Sequence, residues 1–230
     1  MIGWTAKRAG MPDVDYRIFS TGGTDIAGHR KLPAQVAEMG ARPGWLGYIG
    51  VDDVDAVVSS IVAAGGKVQM PPMDMDGVGR MAMVADPQGV PFYVMRGSSN
   101  DASTSFAPMT PGRCTWNELS TPDQAGALAF YTGQFRWEKG GAMPMGALGD
   151  YQFINHGGGM IGAVMTNPPG RGRPAWKFAF AVEDIDTAAA KIASGGGTAE
   201  HAPLQVPTGD WVVNAIDPQG APFIVSGPRK

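Results

Sequence analysis

The chain has 230 residues, 43% of them hydrophobic, and a formal charge of −3 with no clustered basic stripe. That size allows a substantial core, as one large domain or two small ones, and the charge argues against nucleic acid or an anionic membrane surface as the main partner. No apolar run approaches the ~20 residues that span a bilayer, and no basic region precedes an apolar one at the start, so a cytoplasmic protein with a small neutral or weakly charged ligand is expected.

Taken in chain order, residues 1–32 read as three strands without a preceding helix. After Trp45 comes an apolar strand, then Asp53 as a helix N-cap, with Val54, Val57, Val58, Ile61 and Val62 on one face and Gly65-Gly66 as a stop. Three runs follow, Lys67 to Met70, Gly79 to Val84 and Pro91 to Met95, parted by Pro and Gly, and each reads as a strand. The unit is βαβββ. The Met-rich stretch from Met70 to Met83 reads as a gap-filling loop or a lid. Ser98 to Pro111 is the natural linker. A second βαβββ unit spans Arg113 to Met165, with Asp123 capping a helix that carries Leu128, Tyr131 and Phe135, and a third spans Trp176 to Ser226, with Ile185, Ala188, Ala189 and Ile192 as its stripe. Cys114, the single cysteine, excludes an intrachain disulfide and reads as a small core hydrophobe.

The halves repeat. Pro43-Gly44-Trp45 matches Pro174-Ala175-Trp176, Val51 to Asp55 matches Val182 to Asp186, and Asp86-Pro87-Gln88-Gly89 matches Asp217-Pro218-Gln219-Gly220, all 131 residues apart. Two further blocks, at Asp15 and Gly22, match Asp150 and Gly157 at an offset of 135. Projecting the register forward sets Trp4 opposite Trp137, so the segment from Arg113 to about Phe135 has no counterpart in the first copy. Expected domains are 1–97 and 112–230, joined by 98–111. The Gly157 to Gly162 run satisfies G-x-G-x-x-G but leads into a strand, so it is not a dinucleotide fingerprint.

Trp116-Asn117-Glu118-Leu119-Ser120-Thr121-Pro122-Asp123, followed by Ala129-Phe130-Tyr131 and Trp137, resembles the opening strand and helix of the vicinal oxygen chelate (glyoxalase/bleomycin resistance/dioxygenase) superfamily. Val-Asp-Asp-Val-Asp-Ala and Asp-Pro-Gln-Gly resemble its later signatures, and the likeness is nearest to its tandem-domain members. It implies an α+β fold of tandem βαβββ modules forming two open U-shaped barrels, the first module lacking its opening strand and helix. It also implies a cavity holding a metal and substrate, or only a ligand. The family's first-strand metal-ligand position, seven residues before the capping Asp, falls on Leu46, Trp116 and Lys177, and its later position falls on Tyr93 and Ile224. None of these is a His or a carboxylate, so no metal is carried over.

Strand alternation places Trp116, Glu118 and Lys177 on a cavity face, with Leu46, Tyr48, Gly50 and Tyr93 on the corresponding face of the earlier unit. Glu118 reads as a general base or an anchor for a cationic ligand, or else as a structural partner of Lys177. Trp116, Tyr48 and Tyr93 read as stacking surfaces for a planar ligand, or as plain packing. His29, His156 and His201 have no ligand-type neighbours and read as solvated. The leading expectation is a small-molecule-binding protein without a cofactor. The alternative is a metal-dependent lyase, isomerase or dioxygenase using Zn, Mn, Fe or Ni. The missing strand leaves an edge that a homodimer would cover.

Overall fold

A computed structural model describes residues 1–10, 14–167, 170 and 172–230. Its elements follow the chain as β1 (Thr5–Arg8), β2 (Tyr16–Thr21), β3 (Thr24–Arg30), α1 (Ala34–Glu38), β4 (Tyr48–Gly50), α2 (Val54–Ala63), β5 (Lys67–Met75), β6 (Gly79–Ala85) and β7 (Pro91–Gly97). The second copy runs β8 (Cys114–Thr121), α3 (Gln124–Phe135), β9 (Glu138–Pro144), β10 (Asp150–His156), β11 (Gly159–Thr166), β12 (Ala175–Ala181), α4 (Ile185–Ser194), β13 (Thr198–Ala199), β14 (Leu204–Gln205), β15 (Trp211–Ile216) and β16 (Pro222–Gly227). A 3-10 turn, Gly146–Leu148, precedes β10.

Each complete module has its first strand beside its last. The orders are β4-β7-β6-β5, β8-β11-β10-β9 and β12-β16-β15-β13, and each first–last pair is parallel while the other pairs are antiparallel. A parallel neighbour needs a crossover, and the module's helix supplies it. The incomplete first module contributes the antiparallel sheet β1-β2-β3.

The helices α2, α3 and α4 start where the carboxylates stand, whereas α1 follows Pro33 without a side-chain cap. Asp53, Asp123 and Asp184 accept the backbone N–H of Ala56, Gly126 and Thr187 at 3.0, 2.9 and 2.8 Å. Their buried faces are Val54, Val58 and Ile61 on α2, Leu128, Tyr131 and Phe135 with Ala127 and Phe130 on α3, and Ile185, Ala188 and Ile192 on α4. Val62, expected on the α2 stripe, is 50% exposed. The stop after α2 needs both glycines: Gly65 has φ +88°, and a Cβ on Gly66 would stand 2.7 Å from the Ala85 carbonyl oxygen.

The Met-rich segment, expected as a loop or a lid, is mostly strand. Lys67–Met75 is one strand hydrogen-bonded to β6, with register breaks after Val68 and Met70. Pro71 and Pro72 are tolerated because β5 is at the edge of its sheet, where the missing N–H donors leave no ladder unpaired.

Two compact units result, and they are not the sequence halves. One comprises residues 1–45, 103–116 and 178–230, and the other comprises 46–102 and 117–177. The halves expected at 1–97 and 112–230 are thus each divided between them. In the first unit the core is Phe180, Val182, Ile185, Ala188, Ile192, Val213, Ala215, Phe223 and Val225, with Trp4 and Trp45 packed against it. In the second it gathers Phe92, Tyr131, Phe135, Trp137 and Trp176 around α3. The stretch 103–116 is no loose tether: Ser105 donates to the Asp25 carbonyl oxygen and Arg113 to that of Thr104. Among the described residues, no helix is long and apolar enough to cross a membrane.

Candidate functional site

In the second unit, β8 holds Glu118 between β11 and the solvent-poor end of its strand. Leu119, one step on, points to the opposite face and is fully buried. Ala163 of β11 lies directly opposite Glu118, and Phe153 of β10 lies opposite Ala163, so a small residue leaves room beside the carboxylate. Among the described residues, two polar side chains reach it. Tyr151 of β10 donates its hydroxyl to Glu118 Oε2 at 2.9 Å, and Lys177 Nζ of β12 stands 4.0 Å from Oε1. The Glu118 and Lys177 side chains are only 15% and 28% exposed. At 4.0 Å the ammonium is attracted to the carboxylate but does not donate a hydrogen bond to it, which keeps its N–H groups for another acceptor.

Tyr151 was not singled out by sequence. Its only signal was its place two residues before Phe153 on one strand face. The partner Glu118 lies 33 residues away.

Tyr48 and Tyr93, on the parallel neighbours β4 and β7, lie directly opposite each other and stack with centroids 4.5 Å apart and planes within 5°. Tyr48 is 51% exposed. The pair is therefore an aromatic ledge on a sheet face, and Leu46, also expected inward, is 36% exposed just before β4. Trp116 is half-buried on β8, two residues from Glu118 and on the same strand face. Ile224 of β16 is buried opposite Ala179.

Burial pushes the Cys114 thiol up to about 12, where it is neither a nucleophile nor a thiolate ligand at ordinary pH. His201 corrects the expectation of a solvated ring: its Nε2 accepts the Asn214 N–H at 3.1 Å and clips β15. His29 and His156 are exposed. In the first unit an open depression of about 400 Å³ is lined by Lys7, Ser20 and Asp25, but there the Asp25 carboxylate already pairs with the Lys7 ammonium and accepts from the Ser20 hydroxyl.

A family model described as "Glyoxalase/Bleomycin resistance protein/Dioxygenase superfamily" matches residues 6–94 and 112–225. The chain belongs to that superfamily. A protein of Mycobacterium tuberculosis, CFP32, named provisionally as a glyoxylase, is 35% identical over 93% of this chain and 80% of its own length. The anthracycline biosynthesis protein DnrV of Streptomyces peucetius is 31% identical over 98% of this chain and 84% of its own. The Mn(II)-bound glyoxalase of Novosphingobium aromaticivorans superposes with a TM-score of 0.63 over 99% of this chain and 75% of that one, at 18% identity, a likeness of fold.

A divalent ion is bound in that last neighbour, and the residues here do not fit one. Among the described residues no three His, Cys, Asp or Glu side chains come together. The Glu118 carboxylate has an ammonium and a phenol as its neighbours, where a metal site would set further carboxylates or imidazoles.

Proposed function

We propose that this superfamily member binds a small, partly planar organic molecule at Glu118, Tyr151 and Lys177, without a catalytic metal. The observation that carries the reading is the Glu118 carboxylate, sheltered on a strand face and held by one phenol, with an ammonium close enough to balance its charge but too far to be consumed by it. Such a trio offers both an acceptor and a free donor to the polar edge of a ligand. The stacked Tyr48 and Tyr93 of the same unit offer an aromatic surface to its flat part. Two relatives named for anthracycline biosynthesis, 31% and 30% identical, make an anthracycline a sensible probe.

A second reading, a lyase, isomerase or dioxygenase, is favoured by the glyoxylase name of the 35% identical relative. In it Glu118 is the general base, steadied by Tyr151.

The deciding experiment is titration of tryptophan fluorescence with a panel of aromatic ketones, phenols and an anthracycline, on the wild type and on Trp116→Phe, Glu118→Gln and Lys177→Met. The expected result is saturable binding that weakens at least about tenfold in Glu118→Gln or Lys177→Met. Unchanged affinity in both would remove this site as the ligand's seat. Turnover of a bound compound that is lost in Glu118→Gln would select the enzyme reading.

A further inference from the structure

The sheet β4-β7-β6-β5 gathers methionines on one face. Arg80 of β6 turns toward α2, where it donates to both carboxylate oxygens of Asp55 at 2.6 and 2.8 Å, and Ala82 and Val84 on the same strand face are fully buried. Alternation therefore turns Met81 and Met83 away from α2. The register carries their face across the sheet. Met81 lies directly opposite Met73 of β5 on one side and Met95 of β7 on the other, so three thioethers stand in one row on three neighbouring strands. The next row holds Met70, Met83, Tyr93 and Tyr48.

Two features separate the first row from methionines that merely fill gaps. Met70 and Met73 are three residues apart and would face opposite ways by plain alternation, while their partners Met83 and Met81 are two apart. The register break at Pro71-Pro72 absorbs the extra residue and returns Met73 to the face of Met70. Exposure is the second feature. Met81 is 5% exposed, whereas Met73 is 42% exposed and Met95 is half-buried, so the row is anchored at its middle and open at an end. Opposite residues on adjacent strands have Cβ atoms about 5 Å apart. The methionine chain is unbranched with three rotatable bonds, so the two outer sulfurs can lean toward the central one.

We propose that Met73, Met81 and Met95 bind one Cu(I) ion through their thioether sulfurs. Uncharged, polarisable thioethers select a soft monovalent ion, whereas Zn²⁺ takes thiolate, imidazole or carboxylate. A thioether carries no proton to lose, so uptake is independent of pH between about 5 and 8, unlike uptake by histidine or cysteine. The site does not rest on the ligand reading of Glu118 and stands if that reading fails.

The test is an anaerobic titration of the full-length protein, carbon-13 labelled at its methionine methyl groups, with Cu(I) supplied as its acetonitrile complex. Cu(I) is diamagnetic, so the methyl signals stay visible by NMR. The signals of Met73, Met81 and Met95 are expected to move and to saturate at one ion per chain, while those of Met39 and Met109, 87% and 64% exposed, stay in place. Methionine-to-leucine variants assign the signals, a swap that roughly conserves volume. Met73→Leu and Met95→Leu are each expected to weaken uptake at least about tenfold, and Cys114→Ala to leave it unchanged. Three outcomes overturn the proposal: no saturable movement in the wild type, movement that follows exposure with Met39 leading, and loss of uptake in Cys114→Ala, which would make the thiol the ligand.

Discussion

At the scale of single residues, Asp86 shows how one motif serves two environments. Its turn is written in Asp-Pro-Gln-Gly, and Asp217 builds the same turn, yet Asp86 is 1% exposed beneath Tyr131 of α3 while Asp217 is half-buried. Burial raises the Asp86 carboxyl above the ordinary carboxylate range, partly offset by the Val90 and Gln88 N–H groups and the Tyr131 hydroxyl. A folded value above the unfolded one means the associated stability is present below the unfolded value, about 3.9, and is lost as pH rises through the folded value. Asp86→Asn keeps an oxygen for the two N–H groups and removes the titration. The unfolding free energy of the wild type minus that of Asp86→Asn is therefore expected to fall as pH rises from about 4. A difference that stays flat or climbs, in urea titrations across that range, would refute the assignment. Tyr131, the partner of Asp86, was legible as a helix-face residue. Its bonds to Asp86 and Trp176, each 45 residues away, were not, because no periodicity links positions that far apart.

Among the elements, the helices were the most legible, since cap, stripe and glycine stop are local signals. Asp53 caps α2 through one bond to Ala56, and Asp53→Ala is expected to lower stability by about 1 kcal/mol. Asp184 does more: beside capping α4 it accepts the Lys230 N–H at 3.0 Å, and these bonds, the one with Thr187 foremost, lower its carboxyl to about 2. Asp184→Ala is thus expected to shift the denaturation midpoint further than Asp53→Ala, and equal shifts would show that the Lys230 contact adds nothing. The strand β5 was harder to read. Two prolines signalled an end to it, and only the sheet order, which puts that strand at an edge, shows why hydrogen bonding resumes beyond them.

For the molecule as a whole, the donor set at the family's ligand positions makes a prediction independent of any substrate. Purified protein exposed to Zn²⁺, Mn²⁺, Fe²⁺ or Ni²⁺ and then desalted is expected to retain well under one ion per chain by elemental analysis. One tightly held ion per chain would overturn the metal-free reading and send the search to lyase and dioxygenase activity. By itself the sequence determined the family, the βαβββ modules, the three helix starts and the placement of Glu118 on one strand face, because capping, alternation and repeat spacing act over a few residues or recur at a fixed interval. Only the tertiary structure decided that the compact units cut across the repeat, that Tyr151 and Lys177 close on Glu118, and that Trp176 donates to the Tyr131 hydroxyl while Trp45 finds no acceptor among the described residues. Those outcomes depend on which surfaces meet when modules pack, and burial is a property of the assembled unit that no local pattern encodes.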